Sequence, residues 1–301
     1  MVLTVAGLIY AQRTNGPKAD IPFPSSVQTF LPDSGLTTLV IARGSDRIVP
    51  SADGLAYFSE YLESRLPVRM RIRVIGDPRE YQMRIQSGEM DILHLGPLEY
   101  VEARRRSGVE IAALALFGGT TTYYGMIVTA DPSIRQISDL RGKRLTYVDK
   151  ESASGYLYPL AVLLQEGLDP TRDCAVFAPS GSHENVLLNI LQKRFDAGFA
   201  LFDIRPNVLP PDQIEHLRII ARTPPIPNGG FGFSKEFVSR HPDMSKQIQR
   251  IVLSMGNDTE GREALRAVFR GADRCVPVKD SDFDPVRTLL ATLEQHRRIP
   301  E

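Results

Sequence analysis

From about residue 37 the chain alternates short apolar runs with amphipathic ones. Residues 36–42, Leu-Thr-Thr-Leu-Val-Ile-Ala, read as a buried strand. Residues 52–65 set Leu55, Phe58, Tyr61 and Leu62 on one helical face, with Ser51 as the expected cap. A strand is predicted at 68–75, a short helix at 79–87 closed by Gly88, a strand at 90–95, and a helix from Gly96-Pro97 to Arg106. Strands at 111–116 and 123–129 follow. After Asp131-Pro132 the alternation resumes as strand 144–148, helix 156–165, strand 175–178, helix 183–193 and strand 197–202. Such β-α-β order with short connections predicts an α/β fold with mostly parallel sheets flanked by helices.

The run Pro224-Pro-Ile-Pro-Asn-Gly-Gly230 breaks every period and reads as a crossing between domains. Beyond it, helices at 244–255 and 260–269 have no sheet of their own and are expected to pack back on the first domain. One lobe is therefore expected at 36–128 plus 224–301, with an inserted lobe at 129–223. Residues 1–12 form an apolar run too short to span a bilayer. It reads as the remnant of a signal or anchor, or else as an ordinary buried strand. Residues 13–35, rich in Pro, Ser, Asn and Gly, read as a linker.

Composition narrows the function. At 301 residues two domains are the better expectation. Lys plus Arg and Asp plus Glu stand at 36 each, so the clustered basic footprint of a nucleic-acid binder is not expected. An anion site must then be built from local dipoles and hydrogen bonds. Cys174 and Cys275 fit no metal-ligand spacing and are either separate thiols or a disulfide. No metal cluster, dinucleotide loop or nucleophile elbow is present, so no cofactor is expected.

The chemistry concentrates in two strand-to-helix turns. Val148-Asp-Lys-Glu-Ser-Ala-Ser-Gly155 runs into a helix through small and hydroxyl-bearing residues. The first N–H groups of a helix lack intrahelical partners, and the dipole there favours an anion. Ser152, Ser154 and Gly155 are the candidate contacts; an ordinary N-cap is the alternative. Pro179-Ser-Gly-Ser-His-Glu184 repeats the arrangement, with Ser182 as cap and His183 in the first turn. Parallel strands bring such turns to one carboxyl edge, where open α/β sheets bind ligands. Asp203 ends the apolar run Phe199-Ala-Leu-Phe202; it is either a solvated loop acid or a group that selects a ligand still carrying a P–OH proton or a positively charged substituent.

The segment 123–206 resembles the phosphonate/phosphate-type (PhnD-like) substrate-binding proteins of ABC transporters. The matching pieces are Tyr123-Tyr124, Asp139-Leu-Arg-Gly-Lys143, Ser152-x-Ser-Gly-Tyr-Leu-Tyr-Pro159, Gly181-Ser-His-Glu184 and Asp196-Ala-Gly198, with weaker similarity over 37–290 that includes the run Met90 to Pro97. The resemblance implies a type II, two-lobed periplasmic-binding-protein fold with a ligand cleft between the lobes. It implies that Ser152, Ser154 and His183 hold the anion from the inserted lobe, that Tyr123 contacts it from the other, and that Asp203 faces it. The family's early-helix tyrosine falls nearest Pro78 or Tyr81. His94 stands where relatives carry an aromatic ring and is either an extra donor or a core histidine. Two departures stand out: Ala153 replaces a common threonine, and 227–230 offers no acid for an amine.

The resulting expectation is a monomeric, non-enzymatic periplasmic or membrane-anchored extracytoplasmic protein. It binds phosphate, phosphite or a small phosphonate and delivers it to an ABC permease. The alternatives are an oxyanion sensor, for phosphorus or arsenic, that signals to a membrane histidine kinase, and, less favoured, a hydrolase built on Ser154, His183 and Asp203.

Overall fold

Two separate sheets organise the chain. The computed structural model describes residues 37–44, 52–75, 77–202, 204–269 and 271–298; the expected signal and linker segment, the cap Ser51 and Asp203 lie outside them. In chain order the strands are β1 (Thr37–Gly44), β2 (Val68–Ile75), β3 (Ile92–Leu95), β4 (Glu110–Phe117), β5 (Thr122–Tyr123), β6 (Gly125–Thr129) and β7 (Arg144–Tyr147). They continue with β8 (Val176–Pro179), β9 (Ala197–Leu201), β10 (Arg218–Arg222), β11 (Ile226–Pro227), β12 (Gly230–Phe233) and β13 (Ala272–Val276). The longer helices are α1 (Ala52–Glu63), α2 (Pro78–Gln86), α3 (Pro97–Ser107) and α4 (Tyr158–Gln165), then α5 (His183–Leu191), α6 (Pro242–Ser254), α7 (Thr259–Val268) and α8 (Asp284–Arg298).

The first sheet has the order β13-β4-β12-β3-β1-β2 and the second β10-β6-β9-β7-β8. Helices cover both, which gives the two-lobed α/β architecture. Each sheet is mixed rather than mostly parallel. β1 pairs in parallel with β2 and β3, as β7 does with β8 and β9, but β12, β13, β6 and β10 pair antiparallel.

Strand β6, which the expected division at 128/129 assigns to the first lobe, pairs with β9 and β10 in the second sheet. The crossing lies earlier. There β5 and β11 form a two-stranded ribbon, Tyr123 opposite Ile226. Thr223 pins its second-sheet end: its hydroxyl oxygen accepts from the Gly125 N–H at 2.8 Å, and the hydroxyl donates to the Pro224 carbonyl at 2.9 Å. Asn228 pins the other, donating to the Ala115 and Thr120 carbonyls at 2.9 and 2.8 Å.

The segment after the crossing does add to a sheet, contrary to the expectation from its pattern. β12 inserts between β3 and β4, and β13 extends the edge beyond β4. Gly230-Phe-Gly-Phe233 does not look like a strand because its glycines are there for close approach. A Cβ on Gly230 would stand 2.1 Å from the Ala113 carbonyl oxygen. Its phenylalanines build the core: Phe231 stacks on Phe58 of α1 with ring centroids 4.4 Å apart and meets Phe269 edge-on at 4.9 Å. Such pairs add about 0.5–1.5 kcal/mol each beyond their burial.

Gly230→Ala is expected to destabilise the protein by roughly 3 kcal/mol or more, since the new methyl meets backbone that has no rotamer to yield. Urea denaturation checks this; an unchanged midpoint contradicts the packing.

Candidate functional site

The strand β7 ends at Tyr147, and the next residue, Val148, is bound on both sides. Its N–H donates to the Gly155 carbonyl at 3.1 Å, and its own carbonyl accepts from the Gly181 N–H at 2.9 Å. The Tyr147 carbonyl likewise accepts from the Ser180 N–H at 2.7 Å. Two helix openings, one after β7 and one after the adjacent parallel β8, are therefore tied to a single strand end. This brings Ser152, Ser154, Gly155 and His183 to the same edge of the second sheet.

The first opening is not a plain N-cap. The Ser152 hydroxyl oxygen accepts from the Gly155 N–H at 3.0 Å, and the Leu157 N–H reaches back to the Ser152 carbonyl at 3.0 Å. Residues Ala153–Leu157 thus form one π-helical turn ahead of α4. Such widened turns recur at functional sites. Gly155 is obligatory here, because a Cβ would stand 2.3 Å from a Val148 methyl. Ser154 is only 5% exposed, and its hydroxyl has no hydrogen-bond partner among the described residues.

The second opening follows the expected cap: the Ser182 hydroxyl oxygen accepts from the Asn185 N–H at 3.1 Å. Beneath it the Ser180 hydroxyl meets Thr146 Oγ1 at 2.6 Å and accepts from Asn189 Nδ2 at 2.9 Å. His183 Nδ1 accepts from the Leu201 N–H at 2.9 Å. A backbone N–H can only donate, so Nδ1 carries no proton and the neutral ring bears its proton on Nε2. Burial pushes the His183 pKa down to about 4, against the charge of Asp149. Nε2–H is thus a fixed neutral donor with no partner among the described residues.

Tyr123 stands on β5 in the crossing ribbon. Two residues on, Gly125 lies under the first opening; a Cβ there would stand 2.5 Å from the Ser154 carbonyl oxygen. Tyr81 and His94 belong to the other lobe and to each other. The Tyr81 hydroxyl donates to the His94 carbonyl at 2.9 Å, joining α2 to the end of β3. The His94 ring, 8% exposed, stacks on Phe269 at 4.6 Å and lies edge-on to Phe231. Its ring is part of the aromatic core at the carboxyl end of β3. Asp203 follows Phe202 outside the described residues.

Two features of this edge escape sequence reading. Gly125 is one; the other is Arg222, whose guanidinium carbon lies 3.4 Å from the Tyr124 ring centroid and 4.3 Å from that of Phe202. The strand Arg218-Ile-Ile-Ala-Arg222 holds the only available signal, an apolar run closed by basic residues. A pocket of about 190 Å³ between α4 and α8, lined by Tyr158, Ala161, Pro224 and Leu289 among others, runs along the flank of α4 and not at its opening. The thiols of Cys174 and Cys275 are unpaired, and burial pushes them up to about 11 and about 12. Among the described residues no cluster could hold a metal ion, and no helix is long and apolar enough to cross a membrane.

Two mixed α/β lobes joined by a crossing ribbon, with paired helix openings at one sheet edge, define a type II periplasmic binding protein. Comparison sharpens the class. Residues 51–283 match the family model described as ABC transporter, phosphonate, periplasmic substrate-binding protein, and the chain belongs to that family. It is 29% identical over 223 residues to the phosphate-import protein PhnD of Mycolicibacterium smegmatis, covering 67% of this chain and 68% of that one. Among solved structures it resembles XAC2383 from Xanthomonas citri bound to chloride ion (TM-score 0.72, 22% identity, 86% of this chain and 98% of that one). It also resembles PhnD1 from Prochlorococcus marinus in complex with methylphosphonate (TM-score 0.69, 18% identity, again 86% and 98%). The family's members are substrate-binding proteins of ABC transporters. Membership implies a small ligand, a permease partner and an extracytoplasmic location.

The depressed His183 pKa has a stability consequence. Between about 4 and the ordinary 6.5 the unfolded chain binds a proton at this ring and the folded chain does not. Stability contributed here is complete above pH 6.5 and falls as pH drops toward 4, by up to roughly 3 kcal/mol. His183→Gln should flatten that part of the pH–stability curve, and nitrogen NMR of the wild type should show the Nε2–H tautomer without titration between pH 5 and 8. A ring that titrates near 6.5 contradicts the geometry.

Proposed function

We propose that the two lobes close around a small tetrahedral phosphorus oxyanion (phosphate, phosphite or a small phosphonate) and deliver it to an ABC permease. One observation carries the reading: two donors on neighbouring helix openings, the Ser154 hydroxyl and His183 Nε2–H, are left uncommitted. Ser152 keeps its own O–H to donate, since its oxygen is used as an acceptor toward Gly155. With the helix N-terminal N–H groups these donors form a neutral cradle that needs no cationic side chain. Asp203 belongs to this reading as the acid that accepts from a ligand P–OH and repels sulfate-like anions, which carry no proton to give. The phosphate import of the mycobacterial relative and the methylphosphonate bound to PhnD1 support the ligand class. Lobe closure follows the behaviour of two-lobed binders. The buried thiols, pushed up toward 11 and 12, give no support to a thiol-dependent arsenite sensor.

Calorimetric titration of phosphate, phosphite, methylphosphonate and sulfate tests the assignment. Ser154→Ala and His183→Ala should each lower affinity for the phosphorus anions more than about tenfold, since each removes a hydrogen bond to a charged group worth about 1.5–3 kcal/mol. Asp203→Asn should raise sulfate binding relative to phosphate. Unchanged affinities in both donor variants sink the site.

Specificity against amines follows from the crossing. Residues 227–230 carry no acid, and the one polar side chain there, Asn228, is 3% exposed with its amide nitrogen spent on two carbonyls. In competition titrations 2-aminoethylphosphonate should bind no more tightly than methylphosphonate; a clear preference for the amine contradicts this.

A further inference from the structure

Arg222 closes β10, paired across the ladder with Met126 of β6. Its guanidinium sits in the corner made by Tyr124 and Phe202, whose rings are tilted 68° with centroids 6.3 Å apart. Backbone bonding fixes that corner: the Phe202 N–H donates to the Tyr124 carbonyl at 2.9 Å. Phe202 directly follows Leu201, whose N–H anchors His183. The arginine therefore stands on the same sheet edge as the anion cradle, over a Phe202 ring that is one residue from the anchor of its histidine.

What distinguishes Arg222 is the state of its donors. Several other arginines are spent on carboxylates, as Arg144 is on Asp196, Arg240 on Asp91 and Arg287 on Asp280. Arg222 is exposed and makes no ion pair and no hydrogen bond among the described residues. The rings cover guanidinium faces and leave its in-plane N–H fork open. That fork matches a carboxylate or phosphoryl group in two-point fashion. The aromatic corner also restricts the side chain before any ligand arrives, so less freedom is lost on binding.

We propose that Arg222, Tyr124 and Phe202 form a second anion subsite at the rim of the cleft, taking ligands whose phosphorus head carries a further acidic substituent. This rests on the oxyanion reading of the cradle and extends it. The cradle holds the tetrahedral head with neutral donors, while the arginine supplies the full positive charge for a carboxylate or second phosphoryl group on the remainder. Phosphonocarboxylates are the simplest such ligands.

The test is calorimetric titration of the whole protein with methylphosphonate, phosphonoacetate and 3-phosphonopropionate at one ionic strength, in the wild type, Arg222→Gln and Arg222→Lys. The wild type should prefer at least one phosphonocarboxylate over methylphosphonate by about tenfold, the scale of one charge-assisted pair. Arg222→Gln should bring that ratio to about one, and Arg222→Lys should restore only part of it because it cannot present the planar fork. Circular dichroism confirms that each variant is folded. A wild type without the preference, or an Arg222→Gln variant that keeps it, overturns the proposal while leaving the cradle intact. A wild type that binds none of the three, nor phosphate or phosphite titrated beside them, overturns the oxyanion reading itself.

Discussion

The hydrogen bonds on either side of Val148 are the constraint on which the candidate site depends. One reaches forward to Gly155 and the other to Gly181, so a single residue at the end of β7 sets the spacing between two helix openings. The candidate donors Ser152, Ser154 and His183 are themselves uncharged, although Asp149 and Glu184 lie in the same openings. The value of these openings to an anion comes from two dipoles and several donors held at fixed separation, and preorganisation of that kind loses its force when the donors drift. The absent side chain of Gly155 is part of the same constraint, since anything larger would push the Val148 methyl and with it the strand end.

The crossing between lobes is tied to that edge. Gly125, the first residue of β6, lies against the Ser154 carbonyl and at the same time donates its N–H to the Thr223 hydroxyl oxygen. A change in the crossing ribbon is therefore felt at the turn that holds the uncommitted serine. On the far side α8 packs along α4, where Tyr158, Ala161, Leu289 and Leu293 form a shared apolar seam. The helix that starts at the anion turn is thus gripped along its length by an element that follows the crossing.

Much of this was legible in the sequence, for a physical reason. Helices and parallel strands buried on one face announce themselves by period, and both openings carry small capping residues at the expected spacing. Residues whose partners lie far along the chain were not legible. β12 hides behind two glycines, β10 is framed by arginines, and Asp-Arg inside β13 gives it a polar look. The same holds at the site. Ser152 and His183 can be read as cap and first turn, but the tautomer of His183 depends on an N–H 18 residues away. Tyr81, expected near the ligand, directs its hydroxyl to a backbone carbonyl of β3, a commitment that no local pattern reveals.

The position of β12 also bears on how the molecule assembles. It is the strand that joins β3 to β4, yet more than a hundred residues separate it from either. Until it arrives, the first sheet exists as two fragments with bare edges, and the long loop must close before any of that pairing is rewarded. The second sheet draws its strands from one continuous stretch and has no such delay. Folding should therefore be sequential, the contiguous lobe condensing first and acting as the loop that brings β12 home. The interval before that docking is when the chain is most exposed to edge-to-edge association with its neighbours.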